Sequence, residues 1–69
     1  MIETKYIASG ADKDGSTWYL YMIVIKVGVT HFITMLKREL YLAVSKTQYK
    51  FFKTQKGAEA WLGRMGAEL

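Results

Sequence analysis

From Thr17 to Val27 the chain reads Thr-Trp-Tyr-Leu-Tyr-Met-Ile-Val-Ile-Lys-Val. Its residues are mostly aromatic or β-branched, which favours an extended strand. Side chains alternate across a strand, so Trp18, Leu20, Met22 and Val24 lie on one face, with Tyr19, Tyr21, Ile23, Ile25 and Val27 on the other. A strand that is apolar on both faces belongs inside a sheet with a layer on each side. The chain has only 69 residues, and a chain this short buries only roughly 60% of its unfolded surface. One C-terminal helix can cover one face. The other face calls for an additional layer, and a second subunit is the expected one.

The remaining punctuation is sparse. Ser9-Gly10 and Asp12-Lys13-Asp14-Gly15-Ser16 form the strongest turn signal, since Asp-Gly favours tight hairpins. Ile2 to Ala8 before it reads as a short strand, and Gly28 punctuates the chain after the long one. Residues 29–46 read in two ways. Alternation gives strands over 29–36 and 40–44, whereas Phe32, Met35, Leu36, Leu40 and Ala43 fit a helical stripe with Glu39 as the misfit. No Gly, Pro, Asn or Asp occurs between His31 and Lys53, so a hairpin near Lys37-Arg38-Glu39 lacks its usual residues. Strands are favoured, and a second helix over 31–45 is the alternative.

Tyr49 to Lys53 is a strand by its aromatics. Thr54 is suited to N-cap a helix of about residues 55–66, with Ala58, Trp61, Leu62 and Met65 on its apolar stripe. Gly57, Gly63 and Gly66 each weaken such a helix by about 1 kcal/mol relative to Ala, so it should hold only when docked. The expected fold is α+β, a small antiparallel sheet packed on a C-terminal helix, as one small domain over residues 1–69.

Composition narrows the chemistry. The absence of cysteine excludes disulfides and thiolate metal sites, and the single histidine, His31, cannot build a His-rich zinc centre. His31 has no recognisable nucleophile or orienting carboxylate, and no phosphate loop or paired-carboxylate motif occurs. Neither a catalytic residue, a metal nor a cofactor is expected, and the chain reads as a non-enzyme. Asp12-x-Asp14-Gly15 faintly resembles a calcium loop but lacks the further oxygen ligands, so a solvated turn is expected. Trp18 to Leu36 has one formal charge, Lys26, and invites a membrane reading. Lys26 near a bilayer centre would cost roughly 2.5–3.5 kcal/mol, so no membrane association is expected. The N-terminus lacks the basic start and apolar run of a secretion signal, which implies a cytoplasmic location.

Charge is unevenly distributed. Acids and bases balance over residues 1–36, and the net charge of +4 arises from residues 37–69. Aromatics interleave with these bases, a pattern suited to a polyanion or an acidic protein surface. The candidate binding surface is Lys46, Lys50, Lys53, Lys56, Tyr49, Phe52, Lys37 and Arg38. The candidate self-association surface is Tyr19, Tyr21, Ile23 and Ile25. A competing account is that the lysines keep an apolar domain soluble, since 51% of its residues are hydrophobic.

The segment Phe51-Phe52-Lys53-Thr54-Gln55-Lys56-Gly57-Ala58-Glu59-Ala60-Trp61-Leu62, within residues 49–64, resembles the strand–Thr–helix ending of small phage and mobile-element proteins. The resemblance implies an accessory protein that binds host or phage macromolecules, a class that includes inhibitors of CRISPR or restriction systems. The order of sheet then helix is also similar to the arm-site DNA-binding domains of some integrases, which bind DNA on an exposed sheet face. Two functions follow as expectations: a homodimeric protein-binding inhibitor of a nucleic-acid-processing or defence complex, or direct DNA or RNA binding through the basic half.

Overall fold

A computed structural model describes residues 2–29 and 34–69. The elements are β1 (Ile2–Ala11), β2 (Thr17–Val29), β3 (Thr34–Ser45), β4 (Gln48–Phe52) and α1 (Gln55–Arg64). The strands form one antiparallel sheet in the order β1-β2-β3-β4. The helix packs on one side of it, against β3 and β4. This is the expected α+β fold, with the two-sided apolar strand β2 in the sheet interior.

Several boundaries differ from the sequence expectation. Residues 34–45 form a strand, not a second helix, because every residue from Thr34 to Ser45 finds a partner on β2. Lys37, Arg38 and Glu39 therefore lie within β3 and make no hairpin. Residues 31–33, with His31 and Phe32, lie outside the described residues. Gly28 continues β2 opposite Met35 rather than ending it. The β3–β4 connection is the two-residue loop Lys46-Thr47, with Lys46 at φ 57. It uses none of the usual turn residues.

β1 runs to Ala11, beyond the expected end at Ala8. A register shift between Tyr6 and Ala8 makes this possible. Lys5 is opposite Met22 and Ala8 is opposite Leu20, so Ile7 is the extra residue. Both Ile7 and Ala8 pack on the core, which strict alternation would forbid.

The core lies between the helix and one end of the sheet. Trp18, Leu20, Ala43, Ala58, Leu62 and Ala67 are buried together, with Ile7, Ala8, Tyr41, Phe52 and Trp61 packed around them. Burial of a side chain such as Leu20 or Leu62 contributes about 1.5–3 kcal/mol. Thr54 caps α1, its hydroxyl accepting from the Gly57 N–H at 3.1 Å. The helix ends at Arg64, short of Gly66. Gly66 stands just past the end at φ +103, with Ala67 N–H donating to Leu62 and Gly66 N–H to Gly63. It terminates the helix in a Schellman turn and does not weaken its interior.

The C-terminus then clasps the first turn. Glu68 N–H donates to Ala11 and Lys13 N–H donates to Gly66, both at 3.0 Å. The expected solvated turn is thus only half correct. Asp12 is buried, with Oδ2 accepting from Ser45 Oγ at 3.3 Å. Asp14 is exposed and accepts from the Ser16 N–H.

Candidate functional site: the open face of the sheet

Register sorts the side chains into two faces. On the helix side, β2 places Trp18, Leu20, Met22 and Val24 beside Ser45, Ala43, Tyr41 and Glu39 of β3. β4 adds Lys50 and Phe52 there, opposite Ala43 and Tyr41. Val24 is buried beyond the helical core, with Glu3 and Glu39 as its register neighbours. Ion pairs Glu3–Lys26 at 3.3 Å and Glu39–Lys37 at 3.0 Å occupy this end of the sheet.

The opposite face is open. β2 contributes Tyr19, Tyr21, Ile23 and Ile25, and β3 contributes Val44, Leu42, Leu40 and Arg38 as their direct partners. β4 adds Tyr49 and Phe51, and β1 adds Tyr6, Thr4 and Ile2. No described element covers these residues: the one helix among the described residues is on the other side. Tyr6 is 62% exposed, Tyr49 68% and Phe51 50%. The rings are organised among themselves. Tyr19 and Tyr21 stack at 6.1 Å between centroids, Tyr6 meets Tyr21 edge-on at 6.3 Å, and Tyr49 meets Phe51 edge-on at 6.1 Å. Tyr6 and Ser9 share a hydroxyl hydrogen bond of 2.8 Å.

All four residues of the candidate self-association surface lie on this face. The candidate basic surface is dispersed. Lys50 and Phe52 share the helix side, where Lys50 Nζ sits 5.6 Å from the Phe52 ring centre. Phe52 is half-buried, with its ring 6.0 Å from that of Trp61, so its face is not open for a base to stack on. Tyr49 is on the other side of the sheet. Lys46 pairs with Asp14 at 3.1 Å, and Lys37 with Glu39. The Ser16 N–H and then Lys46 hold the Asp14 carboxyl below its ordinary value of 3.8. Lys56 is exposed in the first turn of α1. Arg38 and Lys53 share a shallow recess of about 330 Å³ with Glu39 and Leu40, where β3 runs past the end of β4.

Sequence reasoning missed the contributions of β3 and β1 to the open face. Leu40, Leu42 and Val44 alternate with period two, but Leu40 and Ala43 also fit the competing helical stripe. Among the described residues no group of three His, Cys, Asp or Glu side chains is placed to hold a metal ion. No described helix is long and apolar enough to cross a membrane. No protein-family model, curated protein or solved structure matches this chain.

Proposed function

We propose that the chain is a non-enzymatic binding protein that acts through protein–protein contacts, with the open sheet face as its docking surface. The observation that supports this is the aromatic and aliphatic face on which Tyr6, Tyr19, Tyr49 and Phe51 are exposed and Tyr21, Ile23 and Ile25 are half-buried with no described element over them. A sheet normally buries its apolar face against another layer. Contiguous exposed apolar surface beyond a few hundred Å² marks an interaction site in soluble proteins.

The charge of this face selects among partners. Opposite the β2 positions Tyr19 to Ile25, Arg38 is the one charged side chain that β3 places on it. Aromatic sheet faces can stack on single-stranded nucleic acid, but such sites also need cations that follow the backbone. Here the lysines of β4 and α1 lie away from Tyr49, Tyr19 and Tyr21. An apolar protein surface is the better complement. Such a surface would also serve the small accessory proteins that residues 49–64 resemble, which act by occluding a larger complex.

Tyrosine nitration tests the reading. In an extract of the producing cell, Tyr6, Tyr19, Tyr21 and Tyr49 should be protected, and they should become reactive when the purified chain is diluted until any complex separates. Full reactivity of these four residues in the extract would show an unoccupied face and sink the proposal.

A further inference from the structure

We infer that the surface docked on the open face is a second copy of this chain, packed sheet on sheet about a two-fold axis that crosses the strands near the Met22–Tyr41 pair. The inference rests on the docking role proposed for this face and names its partner.

The face is graded along the strands. The rings Tyr6, Tyr19, Tyr21, Tyr49 and Phe51 all lie in the half beside the helical core, with Leu42 and Val44 among them, and the other half holds Ile23, Ile25, Leu40 and Ile2 with Thr4 and Arg38. A two-fold axis across the strands reverses the second copy end for end. Tyr19 then lies over the partner's Ile25, and Tyr21 over the partner's Ile23. On β2 flat rings meet branched aliphatic side chains, on β3 Leu42 meets the partner's Leu40 and Val44 the partner's Arg38, and the contact is isologous, as a closed dimer requires.

The widths also match. β4 pairs only with Tyr41 to Ser45, so the aromatic half is four strands wide and the aliphatic half three. Reversal sets the wide half of each copy over the narrow half of the other. Tyr49 and Phe51 then extend past the partner's β3 edge, where Arg38 lies. The guanidinium of Arg38 meets tyrosine rings, a favourable cation–π setting. An axis along the strands would instead set the wide half of each copy over the wide half of the other and leave Tyr19 far from the partner's Ile25.

Charge and area agree with this partner. The net charge of +4 opposes self-association only weakly at this face, because Lys26, Lys37 and Lys50 belong to the other side. Four strands over five positions and three over the other four, at about 4.8 Å between strands and about 3.3 Å per residue, give a flat footprint of roughly 510 Å². Interdigitating side chains bury more than the flat footprint, toward the order of 800 Å² per copy of a standard stable interface. Strands of the two sheets would run within about 30° of one another, as in aligned sandwiches.

The absence of cysteine makes the test clean. Sedimentation equilibrium of the purified wild type at micromolar concentration should give twice the 7.9 kDa chain mass. Ile23→Lys places a charge at the centre of the contact and should raise the dissociation constant at least about tenfold, with an unchanged circular dichroism spectrum. A Tyr19→Cys chain mixed with an Ile25→Cys chain should be joined by a short bismaleimide, whereas Tyr19→Cys alone should not join to itself. Self-joining of Tyr19→Cys without the mixed product would overturn the crossed axis. A wild-type monomer would overturn the second copy as the partner. If the tyrosines are nevertheless protected in extract, the docking role stands with a different protein. If they are not, both readings fall.

Discussion

The indole of Trp18 lies so close to Gly10 across the β1–β2 pair that a Cβ there would stand 2.9 Å from Nε1 and 3.0 Å from the ring carbons. Trp18 is the largest side chain of the core and is nearly buried. Gly10 is thus a space requirement rather than a turn. Gly10→Ala should push the indole outward and cost about 1–3 kcal/mol, the usual range for overpacking. Urea denaturation and tryptophan emission should both report it. Gly10→Ala combined with Trp18→Leu should recover part of the loss, since the smaller side chain vacates the contact.

The two faces of the sheet predict opposite responses to truncation. Leu62 is fully buried between α1 and the sheet, and Leu62→Ala should cost about 2–5 kcal/mol. Phe51 is half exposed, so Phe51→Ala should leave the stability of the isolated chain within about 0.5 kcal/mol. The same change should weaken assembly. Stability measured at dilutions below and above assembly separates the two effects, because association adds stability only where it occurs.

Thr54 should be worth about 1 kcal/mol through its cap on Gly57 N–H, lost in Thr54→Ala. The first turn of α1 has no acidic residue and carries Lys56, so the helix dipole is uncompensated there. Thr54→Asp should keep the cap and add a favourable charge, so its thermal midpoint should equal or exceed that of the wild type.

How far these features could be read from the sequence depended on how local their causes are. The two faces of β2 follow from period-two alternation, and Thr54 from a cap placed before an apolar stripe. The Lys46-Thr47 turn was not legible because its left-handed residue is a lysine rather than Gly or Asn. The extra residue Ile7 was hidden because a bulge depends on which side chains the opposite layer accepts. The burial of Asp12 depends on Ser45 and on the C-terminal clasp at Gly66 and Glu68, all distant in sequence. The open face was half legible. Alternation alone puts Tyr19, Tyr21, Ile23 and Ile25 on one face, but it leaves Tyr49 among the basic residues. Only the β3–β4 register shows that it and Lys50 point to opposite sides.

Asp14 predicts a specific acid response. Its folded carboxyl titrates below 3.8 because it accepts from Ser16 N–H and pairs with Lys46. A depressed folded value contributes stability that is fully present above the unfolded value and lost as pH falls through the folded one. The urea midpoint of wild type should therefore exceed that of Asp14→Asn at neutral pH, with the gap closing in strong acid. High salt should narrow the gap at neutral pH through its Lys46 component, since this pair is exposed. A gap independent of pH would mean that the turn does not depend on the charge.

The basic half can be separated from the apolar face by charge reversal. Lys50→Glu with Lys53→Glu takes the net charge from +4 to zero. Lys50 is on the helix side and Lys53 beside the β3 edge, so the open face keeps its residues. The doubly reversed chain should assemble like wild type and precipitate more readily near neutral pH, where its net charge vanishes. Its affinity for a short DNA duplex or single strand at low salt should be no weaker than that of wild type, both being negligible. The opposite result has a clear signature. If wild type bound duplex DNA with a log–log salt slope of about 0.9 per phosphate contact, and charge reversal removed that binding, the lysines would carry the function and the apolar face would serve assembly alone.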